Sequence, residues 1–382
     1  FFLSRRQKPT PRTATNHKQP TMTVSSMSMP LIMRGLVASR PTARSSLSSM
    51  VIVDCGSGYS RASRFHRSSE TNLIHATTMG SNIRALHAIM HCPNKTVEWL
   101  KQLVDIVREV DAQSTEVLLG ATGGVRDLLS SGEITTEEVK RFQDLLATTT
   151  ELPFKVHLLV LSGDDEARYE FLSAEYCATQ CGYFVPTGDQ EEGMEHPNLG
   201  LLSSGGMSSQ IFVKEVSHCL QTEIKKGNRL GLEHGMDKGM VFFHKHAKEV
   251  IERKIPENFG GGNVLYVAIE MFAGVGTKAG MGGSVVGIVP ILDAIEILST
   301  FIEETATEDR MLGEEGERTW RTYVHVMSGI VGKLILQRLH PESKVLFVRE
   351  FELEEDHILK PSWPLGHAIE NLFQEEVIIC AA

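Results

Sequence analysis

The chain has no run of about eighteen apolar residues, the length a helix needs to cross a bilayer, so no segment reads as membrane-spanning. Cysteine is sparse: six residues stand at 55, 92, 177, 181, 219 and 380, and only Cys177 and Cys181 are close together, as C-x-x-x-C. That scatter excludes a dense disulfide framework and supplies no matched pairs for a structural zinc, so the thiols read as structural and the compartment as reducing. Acid is missing from the first fifty residues, which carry eight Lys or Arg and no Asp or Glu. Rich in Ser, Thr, Pro and Arg without a steady apolar period, residues 1–49 read as a disordered or transit-like leader outside the fold. The expected location is cytoplasmic, or organellar if the leader is a transit peptide. The rest of the chain holds 30 bases against 48 acids, a balance that will not retain nucleic acid by charge.

What is present is an ordinary globular composition, 41% hydrophobic and 23% charged, in 382 residues, enough for two lobes each with its own core. The centre of the pattern is Leu161–Tyr176. An apolar, branched run from Lys155 to Leu161 reads as a strand, Ser162-Gly163-Asp164 as a turn, and the residues beyond as an amphipathic helix. Asp164, Asp165 and Glu166 therefore fall at a strand-to-helix junction. Taken alone, three such acids complement the helix macrodipole.

Glycine-rich turns elsewhere change that reading. Met50–Phe65 is a strand ending at Asp54, a Gly56-Ser57-Gly58 turn and a returning strand through Ser60 and Arg61. Leu199–Val213 repeats the arrangement about 150 residues later, with Gly205-Gly206 in the turn and Ser208 and Gln210 on one face of the outgoing strand. Between them, the strand Thr115–Leu119 runs into Gly120-Ala-Thr-Gly-Gly-Val-Arg126, where backbone N–H groups can approach an anion closely. Two hairpins of one design suggest a duplicated architecture in which each half offers a loop to the same phosphate chain. Helices are expected over Thr96–Val110 with Trp99 in the core, from Thr136 through Leu146, over Ile291–Ile302 and over Thr322–Leu339. Residues 180–197 read as an exposed loop, and Gly274–Gly280 (G-x-G-x-x-x-G) as packing rather than a dinucleotide loop. His234, His244 and His246 read as solvated or core histidines before metal ligands.

Four segments in this order resemble the nucleoside triphosphate diphosphohydrolases, the apyrases, of the actin, sugar kinase and heat-shock ATPase superfamily. Asp54-Cys-Gly-Ser-Gly-Tyr-Ser-Arg61 is similar to that family's first motif and Leu119-Gly-Ala-Thr-Gly-Gly-Val-Arg126 to its second. Leu161-Ser-Gly-Asp-Asp-Glu-Ala167 is similar to the third, Leu202-Ser-Ser-Gly-Gly-Met-Ser-Ser-Gln210 to the fourth, and Trp363-Pro-Leu-Gly366 to a late Trp-x-Leu-Gly.

The resemblance implies an α/β fold of two actin-like (ribonuclease H-like) lobes with the active site in the cleft between them. Residues 50–162 would form lobe I, 163–355 lobe II, and 356–382 a segment returning to lobe I. It further implies Glu166 as catalytic base, Ser208 and Gln210 as positioners of the attacking water, and Ser57, Gly58, Ser60, Arg61, Thr122, Gly123, Gly205 and Gly206 as phosphate-binding positions. Asp54 would hold a Ca2+ or Mg2+ ion through water, and the substrate would be a nucleoside di- or triphosphate. Ser203 stands where the family has Asp and Ala167 where it has Gly, which implies weakened turnover. Ser162-Gly-Asp-Asp-Glu-Ala-Arg168 is also similar to the exopolyphosphatase segment Ser-Gly-Glu-Glu-Glu-Ala-Arg, so a polyphosphate hydrolase is the alternative, with a non-catalytic nucleotide-binding scaffold as the third reading.

Overall fold

Alternation along the first strand sets the plan. In β1 (Ser49–Cys55), Val51 and Val53 point into one core and Ile52 into another, as successive strand residues must when both faces of a sheet are covered. In the computed structural model, residues 49–78, 80–90, 92–149, 152–184, 198–205, 208–213, 216–219, 236–281, 287–305, 316–354 and 357–373 are described. The leader through residue 48, most of the expected loop before Asn198, Gly206 and His234 lie outside them.

β1 pairs antiparallel with β2 (Tyr59–Arg67), which pairs with β3 (Ile74–Thr78) and with the short β4 (Ile83–Arg84). On its other side β1 runs parallel to β5 (Glu116–Ala121), and β5 runs parallel to β6 (Lys155–Val160). The sheet order is β3-β2-β1-β5-β6. Helices α1 (His87–Met90), α2 (Pro93–Val110), α3 (Gly123–Ser131) and α4 (Thr136–Thr148) belong to this half. Trp99 of α2 is buried and donates to the Arg84 carbonyl at 2.8 Å. The start of α4 is set by a capping box in which Thr135 and Glu138 satisfy each other's backbone N–H groups.

The second half repeats the order. β7 (Asn198–Ser204), β8 (Ser209–Val213) and β9 (Val216–Cys219) form antiparallel neighbours, and β10 (Val264–Ala268) runs parallel to β7. β12 (Lys344–Phe347) runs parallel to β10, with β11 (Ile288–Pro290) antiparallel at the edge, giving β9-β8-β7-β10-β12-β11. Its helices are α6 (Met236–Lys254), α7 (Glu270–Lys278), α8 (Ile291–Thr305) and α9 (Gly316–Leu336). The hairpin β13 (Phe351–Glu354) and β14 (His357–Leu359) follows.

Between the two sheets lie α5 (Gly163–Gln180) and α10 (Trp363–Leu372). Ile52, Phe65 and Ile74 from the first sheet, Leu199, Leu201, Leu265 and Val267 from the second, and Phe171, Ala174, Trp363 and Leu365 from these helices share one buried cluster. The other faces close over separate cores, one under α2 and α4, the other under α6 to α9. The glycines of α7 serve this packing: a Cβ on Gly276 would strike the Phe347 ring and one on Gly274 would crowd Arg349, so the start of Gly274–Gly280 is a close helix-to-strand approach. His244 and His246 lie on α6, where burial and nearby Lys333 and Lys248 hold His244 below the usual imidazole range. Among the described residues no helix is long and apolar enough to cross a membrane.

Gly366 fixes how α10 meets α5, because a Cβ there would fall on the Tyr169 carbonyl and lie 2.8 Å from the Tyr169 Cα. Backbone cannot swing aside as a side chain can. Gly366→Ala should therefore destabilise the protein by about 1–3 kcal/mol or more, read as a lower urea midpoint at unchanged slope; an unmoved midpoint would refute the close approach.

Candidate active site

The two hairpins place equivalent residues at equivalent strand ends. In the first, Asp54 pairs across the ladder with Arg61 and Cys55 with Ser60; in the second, Ser203 pairs with Gln210 and Ser204 with Ser209. Each pair stands one step inside its turn. The parallel neighbours extend the correspondence, since Val53 aligns with Leu119 of β5 and its counterpart Leu202 with Ala268 of β10. The carboxyl ends of β1, β5, β7 and β10 thus carry the candidate residues, the usual location of ligands on open α/β sheets.

The acids of α5 divide by role. Ser162 caps the helix, accepting from the Asp165 N–H at 3.0 Å and donating to the Asp165 carboxylate at 2.7 Å, while Asp164 and Asp165 stay exposed. Those two complement the helix terminus. Glu166 turns inward, is 8% exposed, and receives Arg126 Nη2 at 2.6 Å. Arg126 is itself buried and also donates from Nη1 to the Leu161 carbonyl at 2.8 Å.

Asp54 accepts from Trp363 Nε1 at 2.9 Å. The Trp363 ring lies against Gly120, where any Cβ would overlap it. Protein encloses the Asp54 carboxyl although water still reaches part of the residue, and its pKa is raised to about 7. Burial is the main cause, the Trp363 hydrogen bond opposes it, Glu166 and Glu270 add to the rise, and Arg61 works against it. Glu270 opens α7 with a φ of +56, a left-handed conformation uncommon for a non-glycine residue, and its Oε1 lies 3.3 Å from Lys360 Nζ. Strained backbone of this kind gathers at functional sites.

The remaining expected positions fall as follows. Ser208 and Gln210 are buried on one face, with Gln210 Nε2 donating to Ser208 Oγ at 3.0 Å. Ser57 is half-buried, Gly58 is exposed, and Arg61 lies 5.7 Å from the Tyr59 ring centre. Ser60 is fully buried and donates to the Arg84 carbonyl at 3.4 Å, so its hydroxyl braces β2 against β4. Thr122 is the N-cap of α3 and makes no side-chain cap bond, leaving the first-turn N–H groups of Gly123 and its successors without a side-chain acceptor. Gly205 donates to the Ser208 carbonyl at 3.0 Å, and Gly206 lies outside the described residues.

Sequence reasoning missed Glu170 and Glu270. Glu170 sits one helical turn beyond Glu166 and is 5% exposed, and its Oε2 and the Oγ of Ser203 are buried without a hydrogen-bond partner in good geometry. Its pKa is held well above the usual carboxylate range by burial first, then by Glu166 and Glu270, with Asp54 adding to the rise; the nearby Ser203 hydroxyl pulls the other way. An E-x-x-x-E spacing was the available signal. Among the described residues no three His, Cys, Asp or Glu side chains converge to hold a metal ion. The donors are oxygens and two of them are orphaned, which suits a hard cation that keeps several waters and is completed by substrate phosphates rather than caged by protein.

No protein-family model matches the chain, and no curated protein matches it. Among solved structures, the chain is similar to the Ppx/GppA family member of Aquifex aeolicus at 11% identity, covering 86% of this chain and 98% of that one, with a TM-score of 0.50. It is also similar to a nucleoside triphosphate hydrolase of Neospora caninum at 13% identity, covering 86% and 93%, with a TM-score of 0.51. At these identities the likeness defines the fold, which is α/β with two actin-like lobes of ribonuclease H type, as the motifs imply.

Asp54 gives a sign-definite pH dependence. Below 3.8 its carboxyl is protonated in both folded and unfolded chains; between 3.8 and about 7 only the folded chain keeps the proton, so stability falls as pH rises through that window. With a discount for the water that reaches it, Asp54→Asn in chelator should gain about 1–3 kcal/mol over the parent at pH 8 and nothing at pH 3.5. Urea titrations at the two pH values measure this, and equal differences at both would refute it.

Proposed function

We propose that the protein is a metal-assisted phosphohydrolase that removes the terminal phosphate of nucleoside di- or triphosphates by in-line attack of water. What supports this reading is that Asp54 at the end of β1 and Glu166 in the first turn of α5 lie within electrostatic reach of each other, with Ser203 at the end of β7 beside Glu170 one helical turn further on. Glu166 takes the proton of the attacking water, and Arg126 fixes its carboxylate in one orientation. Ser208 and Gln210, already hydrogen-bonded to each other, hold that water. Ser57, Gly58, Arg61, Thr122 and Gly123 receive the phosphate oxygens through N–H groups, hydroxyls and one guanidinium, and Gly205 and Gly206, lacking a Cβ, leave room for them. A Ca2+ or Mg2+ ion held through water by Asp54 would neutralise charge on the phosphates. Phosphoryl transfer asks the protein mainly for positioning and charge complementarity, so a salt-bridged carboxylate fits the role.

Hydrolysis of polyphosphate is the second reading. The segment Ser162–Arg168 favours it, together with the fold shared with the Ppx/GppA protein. Both readings require the same acid and the same loops, so they differ in what lies beyond the terminal phosphates.

Purified protein should release phosphate from ATP, ADP or polyphosphate in the presence of Mg2+ or Ca2+, and chelator should abolish the release. Glu166→Gln should lower turnover by about 10²–10⁴-fold with nucleotide affinity nearly unchanged. Nucleotide binding without turnover in the parent would mark a scaffold, and a Glu166→Gln protein as active as the parent would remove this mechanism.

A further inference from the structure

Glu170 has no place in the mechanism above, yet it occupies the most enclosed position of any acid at the site. Its carboxylate is buried beside the buried Ser203 hydroxyl, and neither Glu170 Oε2 nor Ser203 Oγ has a hydrogen-bond partner in good geometry. An ionised carboxylate is strongly disfavoured there unless a cation compensates it. Two cations of the site are already paired with other acids, Arg126 with Glu166 and Lys360 with Glu270. The charged groups that weigh most on Glu170 are the acids Glu166, Glu270 and Asp54.

The duplicated architecture explains what stands there. The strand end that carries Asp54 in the first hairpin carries Ser203 in the second, so β7 brings a hydroxyl where β1 brings a carboxylate. Glu170, on the α5 turn packed against β7 and β8, brings a carboxylate to that same hydroxyl from the helix side. Charge absent from the strand is supplied across the layer.

We propose that Glu170, with the Ser203 hydroxyl beside it, is a cation-binding residue of this site and supplies the second carboxylate opposite Asp54. The assignment rests on the phosphohydrolase reading for the identity of the cation as Mg2+ or Ca2+, but not for its binding. An oxygen pair of this kind selects a hard divalent ion and leaves its remaining positions to water and phosphate. Glu170 thereby differs from the exposed acids of α5, whose loss leaves no buried group unsatisfied.

Mn2+ serves as the probe, titrated into the full chain without nucleotide and followed by the loss of its free electron-paramagnetic-resonance signal. Glu170→Gln, which keeps shape and removes charge, should weaken Mn2+ binding about 10–100-fold. Glu170→Asp should keep most of it, and Ser203→Asp added to Glu170→Gln should restore it from the strand side. Without cation, Glu170→Gln should melt at or above the parent's temperature, because a buried acid with no cationic partner is replaced by a neutral amide of the same shape. Equal Mn2+ affinity in parent and Glu170→Gln, or a parent that takes up no Mn2+, overturns the proposal. Hydrolysis is not the readout. Mn2+ bound through Glu170 in a protein that hydrolyses nothing keeps the assignment and loses the hydrolase reading, whereas an active hydrolase whose Mn2+ affinity ignores Glu170 does the reverse.

Discussion

The site depends on one buried guanidinium. Arg126 leaves α3 and reaches both the carbonyl that ends β6 and the carboxylate of Glu166 in the first turn of α5. It therefore ties the β5–α3 turn to the β6–α5 turn, and these two loops cannot move independently. Breaking a pair buried this deeply typically costs about 3–5 kcal/mol, because the surviving charge is left without compensation. Rigidity of that order suits a site whose chemistry is positioning. Everything else converges on the segment it holds: α5 packs on the second sheet, α10 packs on α5, and Trp363 at the start of α10 reaches back to Asp54.

Both hairpins were legible because their signals are local. Alternating apolar residues on either side of a short Gly and Ser turn specify strand, turn, strand, and the two β-ladders follow that pattern from Asp54–Arg61 to Ser203–Gln210. The α5 acids were half legible. Sequence marked three at a helix start, and the structure gives two of them to capping and the macrodipole and turns one inward. Which of the three turns in depends on Arg126, forty residues away along the chain.

Long-range pairings were not legible at all. Trp363 and Asp54 are separated by 309 positions, and nothing local to either residue announces the hydrogen bond. Glu170 escaped for a different reason. On a helix of mixed polarity, an acid four residues after another reads as a second solvated charge on the same face, and only the packing of α5 between two sheets makes that face interior. The start of α4 was legible, by contrast: the helix begins at Thr136 as expected, and the reciprocal capping bonds join Thr135 and Glu138.

Duplication supplies two equivalent strand ends, and the two have diverged in charge. The first pairs an acid with an arginine, the second a serine with a glutamine. A site built of two charged ends would crowd the carboxylates of β1 and β7 against Glu166, with like charges that ionise together only at high cost. A neutral second end removes one of those charges from the strand, and Glu170 returns one from the helix, at a position where the Ser203 hydroxyl can face it. Acid is thereby shifted from the strand toward α5. Because α5 is also the element that Arg126 and α10 hold in place, the helix anchored from both sides carries two of the site's four acids, Glu166 and Glu170.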